Sequence, residues 1–151
     1  MVKTSLLKQQ VLLEDFDRTE LDRIAQIVKR MSFKKGEFLF KEKEDTKGIY
    51  LIHSGKIEIS KVTPDGWKQT LAILGNGHFL GELSILERRR HEATAVAIED
   101  TEVFLITKED FEKMEREDAA LASKIIKKIA LIMSKNLRRM NEKFINALIS
   151  Y

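Results

Sequence analysis

The 151-residue chain contains no cysteine, one proline, one tryptophan and seven glycines. The absence of cysteine excludes disulfides, thiolate metal sites, iron–sulfur clusters and a thiol nucleophile together. Any redox response through sulfur would fall to methionine. No window approaches the run of about 20 apolar residues that a membrane-spanning helix needs. The amino terminus, MVKTSLLKQQVLLEDF, carries acidic residues and no small-residue cleavage site behind a long apolar stretch, so a signal peptide is not expected. A cytoplasmic location without membrane contact is the expectation. Also missing at motif spacing are a Ser-His-Asp set, a phosphate-gripping lysine loop and a carboxylate pair, which argues against an enzyme. Neither an internal repeat nor a low-complexity tract is present.

With 43% apolar and 34% charged residues, the composition is that of an ordinary globular protein, long enough for one domain with a true core. The net charge of +3 is spread unevenly. Lys124, Lys127, Lys128, Lys135, Arg138, Arg139 and Lys143 face only Glu142 in the last segment, which is locally basic.

Leu21, Ile24, Ala25, Ile27 and Val28 recur at helical spacing, and Asp17 with Glu20 three residues on forms a capping-box pattern. A looser helix is expected around Leu6 to Leu13. Beyond Arg30 the chain turns to short β-rich runs: FLF at Phe38, IYLIHS at Ile49, KIEISKV at Lys56, WKQTLAIL at Trp67, ATAVAI at Ala93 and TEVFLIT at Thr101. The TPDG stretch from Thr63 to Gly66 holds the only proline and predicts a hairpin reversal. Evenly spaced short strands predict a sandwich or rolled barrel.

Helical periodicity returns at Lys108, with Phe111 and Met114 in a short helix, and then runs from about Ala119 to the end without proline or glycine. In that stretch Ile126, Ala130, Met133, Leu137, Met140, Phe144, Ala147 and Tyr151 alternate spacings of four and three, the register of a coiled-coil seam. Such a stripe can pack on its own β core with one side and on a second subunit with the other. The predicted organisation is a single domain, with residues 1–118 forming a β-roll with amino-terminal helices and 119–151 a dimerisation or lid helix. The fold class is mainly β with flanking helices: a double-stranded, jelly-roll-like β-roll with an N-terminal helix and a long C-terminal helix.

This order of parts resembles the cyclic nucleotide-binding domain of catabolite-activator-like regulators, cyclic-nucleotide-dependent kinases and gated channels. FKKGEFLF at Phe33 looks like the family's opening strand, IYLIHSGKIEI at Ile49 like its central hairpin with Gly55 at the turn, and LGNGHFLGELSIL at Leu74 like its phosphate-binding cassette. ATAVAIEDTEVFLITKEDFEKM is similar to the family's segment on the carboxy-terminal side of that cassette. The resemblance implies that the stretch from Gly81 through Leu83 cradles an anion with backbone amides at a helix start. By the same resemblance Glu82 accepts from a ribose 2′-hydroxyl, Ser84 reaches the phosphate, and Thr94 stands beside the family's arginine. Taken singly, Gly81 also reads as a turn residue, Glu82 as a first-turn carboxylate and Thr94 as a strand residue.

The sequence departs from the family pattern at the residue that grips the phosphate. Counting ten on from Gly81 gives His91 where the resemblance implies arginine, with Arg90 before it and Glu92 after it. Histidine is shorter than arginine and mostly neutral at pH 7. Losing a charged hydrogen bond costs roughly 1.5 to 3 kcal/mol, which weakens cyclic nucleotide affinity by one to two orders of magnitude. Arg90 could replace it only if the loop slipped by one residue, and the run Arg88-Arg89-Arg90 reads most simply as solvated. Nothing in the spacing requires His78, His91 and Glu92 to converge on a metal.

The expectation is therefore a noncatalytic regulatory domain with a degenerate phosphate cassette that signals through its carboxy-terminal helix; the alternative is an interaction module that has lost small-molecule binding. No resident cofactor is expected, and a cyclic nucleotide or related ligand only against the cost of His91. A homodimer through Ile126, Met133, Leu137, Met140 and Phe144 is the expected assembly. The chain ends at Tyr151 with no recognition helix after the long one, so sequence-specific DNA binding is not expected. In the family the long helix also lines the pocket, a role open here to Ser134 or Asn136.

Overall fold

The computed structural model describes residues 1–149. The amino-terminal segment forms α1 (Thr4–Leu7), one 3₁₀ turn (Val11–Leu13) and α2 (Arg18–Ala25). The Asp17 carboxylate accepts from the Glu20 amide at 2.9 Å, and the Glu20 side chain accepts from the Asp17 amide at 2.9 Å, closing a reciprocal capping box. The helix stops at Ala25, before Ile27 and Val28, because Lys29 already opens the first strand. That strand, β1 (Lys29–Phe33), alternates only over Arg30 to Phe33, turning Met31 and Phe33 toward the inter-sheet core, and is held by pairing across to Thr101–Thr107.

Seven more strands follow: β2 (Phe38–Phe40), β3 (Gly48–Ser54), β4 (Ile57–Val62), β5 (Lys68–Leu74), β6 (Phe79–Leu80), β7 (Thr94–Ala97) and β8 (Thr101–Thr107). They form two four-stranded antiparallel sheets, in the orders β1-β8-β3-β6 and β2-β7-β4-β5. The architecture is mainly β and jelly-roll-like, as the strand spacing predicts. Between β4 and β5 the reversal closes with the Gly66 amide on the Thr63 carbonyl at 2.9 Å and the Thr63 amide on the Trp67 carbonyl at 2.7 Å.

The helices are α3 (Glu82–Leu86), α4 (Lys108–Glu117) and α5 (Ala119–Ile149). Two cores result. Tyr50, Ile52, Val103 and Leu105 point between the sheets, against Phe40, Ile57, Leu80 and Ala95. Their neighbours in sequence, Ile49, Leu51, Phe104 and Ile106, point the other way into a core completed by Leu13, Phe16, Phe111 and Ile125 from the helices. Both faces of β3 and β8 are thus covered, which is why IYLI and VFLI are unbroken apolar runs.

Only the first part of α5 belongs to this core. Leu121, Ala122, Ile125 and Ile129 are buried, and Ile126 packs partly against the same cluster. Lys128 binds Asp15 at 2.5 Å and Glu14 at 3.2 Å, and Lys124 binds Glu20 at 2.7 Å, tying the helix to the amino-terminal segment. Farther on, Met133, Leu137, Met140 and Phe144 are exposed, Leu137 by 58% and Phe144 by 66%. The seam predicted from the heptad register therefore divides: Ile126 faces the domain's own core, whereas the other four lie on an uncovered row. Tyr151, the last member of the series, lies outside the described residues.

Candidate functional site

The site begins where β6 pairs with β3. The register Tyr50↔Leu80 and Leu51↔Phe79 delivers Gly81 to the edge of the inter-sheet core. Gly81 takes φ +88 and caps α3, and a Cβ there would stand 2.6 Å from the Gly48 carbonyl oxygen. Left-handed backbone and close approach both require glycine. One turn on, Ser84 and Ile85 are buried while Leu83 is 45% exposed.

The return loop brings His91 against this turn. Its backbone is strapped to the β2–β3 loop, with the His91 amide on the Glu44 carbonyl at 3.0 Å and the Lys43 amide on the His91 carbonyl at 2.7 Å. Its ring stacks on Phe40, centroids 3.6 Å apart and planes at 7°. Ser84 Oγ lies 3.1 Å from His91 Nδ1. The residue is 4% exposed, and its Nε2 is buried with no hydrogen-bond partner.

These groups open on a cavity of about 330 Å³, at the lower end of the usual range for small-molecule pockets. Gly81, Glu82, Leu83, Ser84, Arg90 and His91 all line it, but Thr94 does not. The Thr94 hydroxyl instead accepts from the Glu42 amide at 3.1 Å, serving the strand junction. None of the lining residues comes from α5, so Ser134 and Asn136 are not at the pocket. Phe40, Ile59, Leu71 and Leu74 supply an apolar wall that motif reading does not identify. Leu71 reaches it through a bulge: Ile59 pairs with Ala72 and Ser60 with Thr70, leaving Leu71 as the extra residue. Only a break in strand alternation signals this, and the sequence of β5 carries no such mark.

The charges are arranged unlike a simple anion site. Three cations, Lys61, Arg89 and Arg90, and three carboxylates, Glu82, Glu87 and Glu92, line the cavity. Arg89 is held by Glu87 and by Glu92, the latter at 3.0 Å, and Arg90 binds Asp45 at 3.1 Å. Burial pushes the Glu82 carboxyl up from the usual range, against a smaller opposing effect of its own backbone N–H. Among the described residues no three metal-binding side chains cluster, and His78 and His53 do not join His91.

Burial also lowers the His91 pKa, an effect that the nearby Glu44 charge partly offsets. The unfolded chain, with histidine near 6.5, then takes up a proton before the folded one does. Stability from this site is complete above that value and is lost as pH falls below it. Urea midpoints should therefore drop more steeply between pH 7 and 5 in the wild type than in His91→Gln; parallel slopes would refute the assignment.

A model of the cyclic nucleotide-binding domain matches residues 30–118. A cyclic AMP receptor protein of Thermus thermophilus is 31% identical over 105 residues, covering 70% of this chain and 49% of that protein. An anaerobic regulatory protein of Bacillus subtilis is 36% identical over 121 residues, covering 80% of this chain and 49% of that one. The chain spans about half the length of these relatives. Among solved structures, the catabolite activator protein of Thermus thermophilus superposes with a TM-score of 0.76 at 27% identity, over 89% of this chain and 62% of that one. Among the described residues no helix is long and apolar enough to cross a membrane.

Proposed function

The chain belongs to the cyclic nucleotide-binding domain family, and from that premise we propose that it is a noncatalytic sensor domain whose cassette pocket takes a small molecule and whose α5 carries the signal. The observation that supports this most directly is the cavity lined by Gly81, Glu82, Ser84 and His91, beside which the His91 ring is oriented by Phe40 and Ser84 with its buried Nε2 unpaired. A buried polar atom without a partner costs free energy, so the surroundings of His91 are not optimised for stability alone. The relatives named as a receptor and a regulatory protein are consistent with a regulatory task. On this reading the cassette is degenerate, because His91 and Glu92 stand where an anion would need an unopposed cation.

The signalling half of the proposal rests on α5. The helix is anchored by Lys128 to Asp15, just after the 3₁₀ turn, and by Lys124 to Glu20 of α2, and the 3₁₀ turn touches the loop before β6 through the Val11 amide on the Gly77 carbonyl at 2.9 Å. Occupation of the pocket can thus bias the position of α5 through a short mechanical path. The uncovered row Met133, Leu137, Met140 and Phe144 is the surface on which a second copy packs.

Two measurements test these statements. Calorimetry against cyclic nucleotides, cyclic dinucleotides and uncharged ring compounds at pH 6 and 8 should yield at least one saturable heat. Silence across the panel would leave the interaction-module reading in its place. Sedimentation should show a dimer for the wild type and a monomer for the pair Met133→Asp and Leu137→Asp, and an unchanged mass would remove the seam.

A further inference from the structure

We infer that Met133 and Met140 form a reversible oxidation site, at which a hydroperoxide converts both thioethers to sulfoxides and separates paired copies of α5; this rests on the proposed seam. The chain has no cysteine, so its sulfur chemistry belongs to five methionines. Met114 is buried in the helical core, Met31 packs partly against the inter-sheet core, and Met1 precedes α1. The remaining two are exposed on α5, Met133 by 38% and Met140 by 66%. Seven residues apart on one helix, they share a row with Leu137 and Phe144. An unbranched thioether packs in such a row as an apolar side chain.

The step transfers one oxygen atom. A sulfur lone pair attacks the hydroperoxide, an S–O bond forms as the O–O bond breaks, and the other oxygen leaves, protonated, as water or an alcohol. Sulfur gives up two electrons and the peroxide gains them. A polar, chiral sulfoxide then stands where an apolar side chain stood.

The seam has no means of accepting that change. Ala130, Leu137, Phe144 and Ala147, the other members of the heptad series beyond Ile126 within the described residues, carry no side-chain donor for a sulfoxide oxygen. A polar group buried without a hydrogen bond opposes association, and a pair of oxidised copies holds four of them. Pairing covers the sulfurs, so the oxidant acts on copies that are apart, and an oxidised copy is then kept from pairing again. The domain itself is untouched. Leu121, Ala122, Ile125 and Ile129 hold α5 to the core, and neither methionine belongs to that cluster.

Sedimentation of the full chain before and after hydrogen peroxide, with mass mapping of each methionine, decides the matter. The untreated chain should be a dimer. After treatment Met133 and Met140 should each carry one added oxygen, and the dimer dissociation constant should rise about a hundredfold or more. The pair Met133→Leu and Met140→Leu keeps the row apolar, so it should stay dimeric through the same treatment although Met1, Met31 and Met114 remain. Methionine sulfoxide reductases for both epimers, supplied with a dithiol, should restore the wild-type dimer. That loss and recovery stand on their own if the leucine pair fails to fold. A wild-type dimer that survives the peroxide overturns the inference and leaves the seam intact. So does dissociation of the leucine pair under peroxide, or an oxidised chain that the reductases do not return to a dimer. An untreated chain that is already monomeric overturns the seam and the inference together.

Discussion

Replacing His91 with arginine should raise cyclic AMP affinity by roughly ten- to a hundredfold, read by calorimetry at pH 7.5. Arginine brings a permanent charge and a forked pair of donors to a position whose backbone is already strapped to Lys43 and Glu44. The stack on Phe40 can be kept, because a guanidinium plane also lies flat on an aromatic face. The new charge is opposed by no buried cation and is attracted by Glu82, Glu92 and Glu44, so the side chain has reason to stay in the site. The cassette turn, with Gly81 at its head and Glu82 beside it, needs no rearrangement for this gain. If affinity for cyclic AMP does not rise in a folded variant, Glu82 and the turn are not in binding geometry, and the site is scaffold alone.

Gly81→Ala should lower stability by about 2–5 kcal/mol and abolish whatever the pocket binds. Two effects combine: a left-handed backbone costs an alanine roughly 1–2 kcal/mol, and overpacking a rigid neighbour adds roughly 1–3 kcal/mol. The neighbour here is the Gly48 carbonyl oxygen, 2.6 Å from the added carbon, and a backbone atom within a sheet cannot swing aside. Relief would have to come from parting β6 and β3, which would move α3 away from His91. Gly66→Ala is the control. It has a similar φ of +87 but nothing within 4 Å, so its loss should be limited to the conformational share. Urea denaturation of both variants separates the two costs, and equal losses would show that the close approach to Gly48 does not matter.

Much of the fold is readable from local pattern because local physics suffices for it. The Asp17–Glu20 box, the Thr63–Gly66 reversal and the uninterrupted run of α5 each depend on residues within a few positions of one another. The strand β1 is different. KRMSF is mostly polar and becomes a strand because Thr101–Thr107 offers it a ladder, a partner about seventy residues away. The early stop of α2 has the same cause. Ile27 and Val28 continue the helical spacing, but the chain must already be turning toward that ladder.

The candidate site divides along the same line. Composition alone was enough to exclude cysteine chemistry, and the resemblance to the cyclic nucleotide-binding family implied a cassette turn at Gly81, Glu82 and Ser84 with His91 where an arginine would bind phosphate. That His91 Nδ1 meets the Ser84 hydroxyl, that Arg89 and Arg90 are spent on Glu87, Glu92 and Asp45, that Thr94 turns to Glu42, and that Leu71 bulges into the wall all required the packed chain. So did the division of the α5 stripe at Ile126. Residue type and short-range spacing set what chemistry a side chain can offer, whereas its partner and its direction come from segments far apart in sequence that folding brings within hydrogen-bond reach.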